Sequence, residues 1–360
     1  MQNKINLLGF SQKSLEAFFK DLGQSSYRAK QLIKWVHQKG ELEFDCMTDF
    51  NKELREKLKE VAIIEPPKVL KTLTSNEGTK KYLIELKSGS SIEMVRIPEK
   101  NRMTLCISSQ AGCALQCTFC ATGAQGFDQN LTADEIIGQV WIANYLDRDE
   151  PPITNVVFMG MGEPLLNFDP VIESVEIMRN QLAYSLSKKR ITISTSGIVP
   201  QINRLADTTD VSLAISLHAA DNQLRDIIVP INKKYPINEL LSSCKNYLSK
   251  QTSKRNITIE YILIDGINDS IKHAASLSKI LSNLSCKINL IPFNPFNGSD
   301  YKRSTNRNIY AFKDYLIKKG YITTLRITRG DAIDGACGQL VWELKNTGKG
   351  KGVIEHTSIH

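Results

Sequence analysis

From about residue 103 onward, short apolar, β-branched runs alternate with amphipathic stretches, and no other feature of the 360 residues limits the fold as tightly. The runs are 105–108, 153–158, 191–195, 211–217, 257–264, 288–291 and 321–327. Between them lie helical patterns at 132–146, 169–183, 237–250, 270–283 and 305–319. Near-continuous apolar strands need cover on both faces, and amphipathic helices between them supply it. Alternation of this kind builds βαβ units and a parallel sheet, an α/β fold. Six or more units over about 220 residues curve into a full or partial barrel, with the working residues at the C-terminal strand ends.

The N-terminal part reads differently. Leu15, Phe18, Phe19 and Leu22 form a helical stripe that stops at Gly23; Ala29, Leu32, Ile33 and Val36 repeat it, with Ser26 placed to cap and Gly40 to stop. A third stripe runs through Leu54, Leu58 and Val61, with Glu53 and Lys57 paired one turn apart. Residues 1–65 are therefore expected as a small helical accessory domain, closed by Pro66-Pro67. An extended linker or hairpin at 66–98 turns at Lys87-Ser88-Gly89-Ser90. The core is expected over 99–331, a cysteine-bearing loop over 332–344 and a Gly/Lys/Thr-rich mobile tail over 345–360.

Hydrophobic residues at 41% and charged residues at 23% exclude a disordered or fibrous chain. No apolar run approaches the roughly 18 residues of a spanning helix. The opening Met1-Gln2-Asn3-Lys4 and the amphipathic segment after it lack the pattern of a signal peptide. A cytoplasmic, reducing location follows as the expectation, where cysteines serve more often as ligands or catalysts than in permanent disulfides. The 46 basic and 38 acidic side chains leave +8. Between 301 and 330, Lys302, Arg303, Arg307, Lys313, Lys318, Lys319, Arg326 and Arg329 face only Asp314, a balance compatible with a polyanion. Any one such cluster is as well explained as a solvated face.

Among the eight cysteines, Cys113-Ala114-Leu115-Gln116-Cys117-Thr118-Phe119-Cys120 follows the run at 105–108 directly. Three thiolates this close suit a soft metal or an iron–sulfur cluster. Zinc sites usually join two separated pairs, and neither a second pair nor a histidine neighbours the motif. A [4Fe–4S] cube held by three cysteines leaves one iron open to another ligand; a zinc knuckle completed by a distant cysteine is the alternative. Cys46, Cys244 and Cys286 read as small buried hydrophobes. Cys106 leads into the motif, and Cys337 sits in the Gly-rich segment Asp334-Gly335-Ala336-Cys337-Gly338.

The CxxxCxxC motif with Phe119 before its last cysteine resembles the radical S-adenosylmethionine (SAM) superfamily, whose fold is a partial (βα)6-type barrel. The likeness continues in order through Met159-Gly160-Met161-Gly162-Glu163-Pro164-Leu165-Leu166-Asn167, Ser194-Thr195-Ser196-Gly197, Ser216-Leu217-His218, Pro230-Ile231-Asn232-Lys233-Lys234-Tyr235, Asn289-Leu290-Ile291-Pro292-Phe293-Asn294-Pro295 and Ala336-Cys337-Gly338-Gln339-Leu340. Together these motifs resemble the RlmN branch of the RlmN/Cfr adenine methyltransferases over nearly the whole chain.

The resemblance implies a [4Fe–4S] cluster on Cys113, Cys117 and Cys120, with SAM on its open iron. It implies SAM contacts from Gly162, Glu163, Ser194, Ser216, Leu217, His218 and Asn294. It implies that Cys337 accepts a methyl group from a first SAM, and that a second SAM yields a 5′-deoxyadenosyl radical. Cys106 then resolves the RNA-linked product, leaving a Cys106–Cys337 disulfide for an external reductant. Glu93, in Ile92-Glu93-Met94-Val95-Arg96-Ile97-Pro98, matches the position of a base; from alternation alone it reads as an outward carboxylate on an edge strand. The implied substrates are C2 of adenine 2503 in 23S rRNA and of adenine 37 in tRNA, with a monomer expected, an external electron donor and no membrane. Pro164 argues against a Cfr-like C8 methyltransferase, whose members carry Ala there. A rival of another class is a non-catalytic zinc module that binds RNA.

Overall fold

The computed structural model describes residues 4–146, 150–252, 255–326 and 333–341. The expected tail at 345–360 and Arg329 of the basic stretch lie outside the described residues. Ten strands form one sheet: β1 (Lys68–Thr74), β2 (Lys80–Glu85), β3 (Ser91–Glu99), β4 (Arg102–Cys106), β5 (Asn155–Phe158), β6 (Ile191–Thr195), β7 (Ser212–Ser216), β8 (Ile257–Leu263), β9 (Cys286–Pro292) and β10 (Thr323–Leu325). Their order across the sheet is their order along the chain. From β4 to β10 every pairing is parallel, and β1 to β4 pair antiparallel. β1 and β10 are the two edges, so the barrel is open. The α/β reading and its partial barrel hold. The segment expected as a linker or hairpin supplies three strands that extend the barrel sheet.

Helices follow the strands and cover the sheet, at Ala133–Tyr145, Phe168–Arg179, Ile237–Ser249, Ile271–Ile280 and Asn306–Lys318, close to the bounds the periodicity suggests. Thr132 and Glu135 form a capping box on the first. Helices Val199–Thr208 and Asn222–Ile228 carry no expectation from the sequence. The first opens with Pro200 in its first turn, a residue easily taken for a break although that position suits it. The second is seven residues long and buries Arg225 where a stripe would show an apolar side chain.

The accessory domain comprises helices Gln12–Asp21, Tyr27–Ile33 and Lys52–Val61, joined by a two-stranded parallel pair of Ile5–Asn6 with Ala62–Ile63. It docks on the helices Ala133–Tyr145 and Phe168–Arg179. Trp141 Nε1 donates to Val36 O at 3.1 Å, Tyr145 OH to His37 O at 2.7 Å, and Ser11 N to Glu173 Oε1 at 2.8 Å. Gly9 meets the start of the first of these helices so closely that a Cβ would lie 2.3 Å from Asp134 N. One apolar core runs from Leu7 through the sheet to Leu340. Among the described residues no helix is long and apolar enough to cross a membrane.

Candidate active site

Seven parallel strand ends open on one side of the sheet, and the loops leaving them line a cavity of about 880 Å³ including its open mouth. Cys113, Cys117 and Cys120 all reach it from the loop beyond β4. Burial pushes the Cys113 thiol up to about 12 and raises those of Cys117 and Cys120; Cys117 feels both of the others. Phe119 sets its ring edge-on against His218, centroids 4.6 Å apart, and packs on Ile262, Ile264 and Phe293.

On the other wall, Gly162 follows β5 with φ +92°, and a Cβ there would sit 2.4 Å from Gln110 Cβ. Only glycine takes this turn without strain. Glu163 is buried, its carboxylate accepting from Leu165 N at 3.1 Å and Ser196 N at 2.8 Å. Burial lifts its carboxyl to about 7, with those amides and Thr195 opposing. Ser194 at the end of β6 and Ser216 at the end of β7 line the same space. His218 lines it too, held at φ +60° by Asn268, whose Nδ2 donates to His218 O at 2.9 Å. Its Nδ1 accepts from Ile262 N at 3.1 Å, so its proton rests on Nε2. Burial, then the nearby Arg225, lowers it to about 3; the ring is neutral.

Cys337 reaches the cavity from the C-terminal loop, which many contacts fasten over the mouth. Ala121 N donates to Gly338 O at 2.7 Å, Thr122 Oγ1 to Leu340 O at 2.6 Å and Gln339 Nε2 to Pro295 O at 3.0 Å. Asn294 Nδ2 donates to Cys337 O at 3.3 Å. Cys106, at the end of β4, is buried outside the cavity lining. Burial, then Cys337, drives its thiol up to about 12, against the pull of Arg326. All eight cysteines are free thiols, so the Cys106–Cys337 disulfide implied by the resemblance is not present.

Glu93 is neither outward nor on an edge: β3 lies between β2 and β4, and Glu93 is 5% exposed. Its carboxylate pairs with Lys81 at 2.8 Å and accepts from Val341 N at 3.0 Å. Of the thirteen residues singled out from the sequence, Cys113, Cys117, Cys120, Gly162, Glu163, Ser194, Ser216, His218 and Cys337 share the cavity. Cys106, Glu93, Leu217 and Asn294 are not part of that lining.

Two charged residues that line the cavity were not singled out as site residues. Arg326, counted among the basic stretch, enters the cavity, as does Glu260 of β8. Burial disfavours the Arg326 charge, but Cys337, Glu260, Cys106 and Glu99 together raise its affinity for the proton. Their signal was a lone charge inside, or at the end of, an apolar strand run. Lys302, Arg303, Arg307, Lys318 and Lys319 are exposed.

Three soft donors on one loop, all lining the cavity, fit an iron–sulfur cube. Among the described residues no three acidic, His or Cys side chains are arranged to hold a metal ion. In a cube each thiolate takes a different iron, so the three need not converge on one point. The glycine turn, the serines and the neutral His218 add polar groups to the same cavity, the kind that suit a nucleoside and its amino-acid tail.

Residues 5–64 match the ribosomal RNA large subunit methyltransferase N-terminal domain, and residues 107–277 match the radical SAM superfamily. The chain is 53% identical over 347 residues to the dual-specificity RNA methyltransferase RlmN of Marinobacter nauticus, covering 95% of this chain and 94% of that one. The same-named protein of Pseudomonas fluorescens is 52% identical over 346 residues, 95% and 91% of the two chains. The crystal structure of a radical SAM methyltransferase from Sphaerobacter thermophilus superposes with TM-score 0.87 at 38% identity, covering 93% of this chain and 99% of that one.

Proposed function

The chain belongs to the RlmN family of dual-specificity RNA methyltransferases, within the radical SAM superfamily, and from that premise we propose that it methylates C2 of adenine 2503 in 23S rRNA and of adenine 37 in tRNA through Cys337. The family's working groups are a [4Fe–4S] cluster and SAM. When bound, they supply a one-electron cleavage of SAM that delivers a carbon radical able to take hydrogen from a methyl group.

Cys113, Cys117 and Cys120 hold the cluster as thiolates, each losing its proton on loading. Gly162 and Glu163 receive the amino end of SAM. Ser194, Ser216 and the Nε2–H of His218 meet its nucleoside and ribose, and Leu217 and Asn294 hold the strand ends and loop that shape the space. Adenine C2 is not nucleophilic, so direct displacement from SAM does not serve it. A thiolate is a good nucleophile, and the Cys337 sulfur takes the methyl first. Once the carbon is bonded to adenine and the adduct has given up its C2 proton and one electron, which returns to the reducing system, the Cys106 thiolate would attack the Cys337 sulfur. That sulfur–carbon bond breaks with its electron pair on the carbon, which takes up a proton to become the methyl group of the released base, and a disulfide remains for an external thiol to reduce. Glu93 accepts the proton that leaves adenine C2. The exposed cations near 302–319 and the accessory domain bind RNA phosphates and shape, and the base leaves its stack to reach Cys337.

The observation that carries this reading is the entry of Cys337 into the cavity that Cys113, Cys117 and Cys120 line. Anaerobically reconstituted protein, SAM, a reductant and each RNA should give 2-methyladenosine by nucleoside mass spectrometry. An 8-methyl product would transfer the chain to Cfr-like chemistry. A colourless protein carrying zinc and no sulfide would end the radical reading altogether.

A further inference from the structure

The helix Asn222–Ile228 and the turn Pro230–Lys233 after it have no part in the reaction as set out above, yet they put a cation beneath the site. Arg225 has no exposed surface. Its Nε donates to Leu217 O at 2.9 Å, and its Nη2 to Ser196 O at 2.7 Å and Ser216 O at 3.0 Å. Its Nη1 donates to Asn232 Oδ1 at 2.9 Å. Asn232 Nδ2 in turn donates to Asp226 Oδ1 at 2.6 Å, so a carboxylate stands one amide away. Among the described residues no carboxylate pairs directly with Arg225. A buried charge left in that condition is expensive, and carbonyl dipoles offset it only in part.

The missing negative charge lies on the other side of the Ser196 peptide. Ser196 hydrogen-bonds the Cys117 sulfur, and Cys117 and Arg225 interact electrostatically. Thr118 N, next to Cys117, donates to Ile228 O at 3.2 Å at the end of the same helix. The helix thus backs the ligand loop and carries a buried cation on which Cys117 acts ahead of Cys244 and Asp226.

We propose that Arg225 is a positioning residue that gives the thiolate-held cluster its counter-charge, with Asn232 keeping Asp226 from neutralising it. This rests on the reading of Cys113, Cys117 and Cys120 as cluster ligands. A cube on three thiolates is net negative and becomes more so on accepting an electron, and net charge is among the determinants of cluster potential. A fixed guanidinium linked to Cys117 through Ser196 therefore makes that electron easier to place. Its fork also ties together the carbonyls of Ser196, Ser216 and Leu217, at the strand ends that shape the SAM side of the cavity.

The test is a potentiometric titration of the anaerobically reconstituted full chain without SAM, read by electron paramagnetic resonance of the reduced cluster. Arg225→Gln should shift the reduction equilibrium at least tenfold toward the oxidised form, about 59 mV for one electron. Arg225→Lys, which keeps the charge, should stay within threefold of the unmodified protein. A charge-conserving swap, Asn232→Asp with Asp226→Asn, brings the carboxylate onto the guanidinium and should shift the equilibrium in the same direction as Arg225→Gln. If Arg225→Gln does not retain its iron, the swap decides alone. A swap within twofold of the unmodified protein overturns the proposal. Failure of the unmodified chain to take up iron would instead sink the cluster reading on which it stands.

Discussion

Glu93 Oε1 and Lys81 Nζ lie 2.8 Å apart on neighbouring antiparallel strands, and each partner also grips one flank of the Cys337 loop. Lys81 Nζ donates to Asp334 O at 3.4 Å, ahead of Cys337, while Val341 N, beyond it, donates to Glu93 Oε2 at 3.0 Å. One buried ion pair thus clasps the loop on both sides. A carboxylate occupied by the amide and the ammonium takes a proton from substrate only after the loop shifts, so the base action proposed for Glu93 would be coupled to loop movement.

Replacing Glu93 by Gln leaves an acceptor for Val341 N but no base. Cluster assembly and Cys337 methylation should persist, while resolution slows by about 100-fold or more. A covalent RNA–protein species should then build up on denaturing gels. Normal turnover by Glu93→Gln would reduce this residue to a clasp.

The two thiols proposed for methyl transfer and resolution separate by phenotype. Cys337→Ala should bind the cluster and SAM yet yield no methylated RNA. Cys106→Ala should complete the carbon–carbon step and stall as the RNA adduct, visible as a nuclease-sensitive mass on the protein. Turnover by Cys337→Ser would contradict the transfer of carbon through this sulfur.

Resolution should depend steeply on pH. Burial raises the Cys106 thiol from its ordinary value of 9.0 to about 12, and the thiolate is the attacking form. The reactive fraction therefore grows about tenfold for each pH unit between 7 and 9, and adduct decay in single turnover should follow it. Because Arg326 pulls this thiol down, Arg326→Gln should slow decay at every pH and leave the slope unchanged. A flat profile would assign the rate to another step.

Gly162→Ala places a side chain at φ +92° and its Cβ against Gln110. The strain costs about 1–3 kcal/mol and moves the turn that carries Glu163. Equilibrium dialysis should show weakened SAM binding while Cys113, Cys117 and Cys120 still take up iron.

Strand positions, most helix bounds and the cysteine motif could be read in the sequence because period and spacing are local properties. Ile191–Thr195 matches its apolar run end to end. Glu93 could not be placed, because alternation with Ile92 and Met94 describes one strand and burial on the other face depends on β2 and β4. Arg326 falls with the surface charges of the 301–330 stretch for the same reason: its neighbours in sequence are Leu325 and Ile327, and only its neighbours in space, Cys337, Glu260 and Cys106, show what it faces. Arg225 hid within a helix too short to show a stripe. Long-range electrostatics of this kind leaves no period to read.

Because each strand of the sheet is laid beside the one before it, a chain leaving the ribosome can build the barrel in sequence, every new strand docking on an edge already formed. Within the sheet each strand after the first finds its partner already in place, while the accessory domain docks only once the helices Ala133–Tyr145 and Phe168–Arg179 have followed. The loop that carries Cys337 is then delivered after all seven parallel strands, and it closes over a chamber already built.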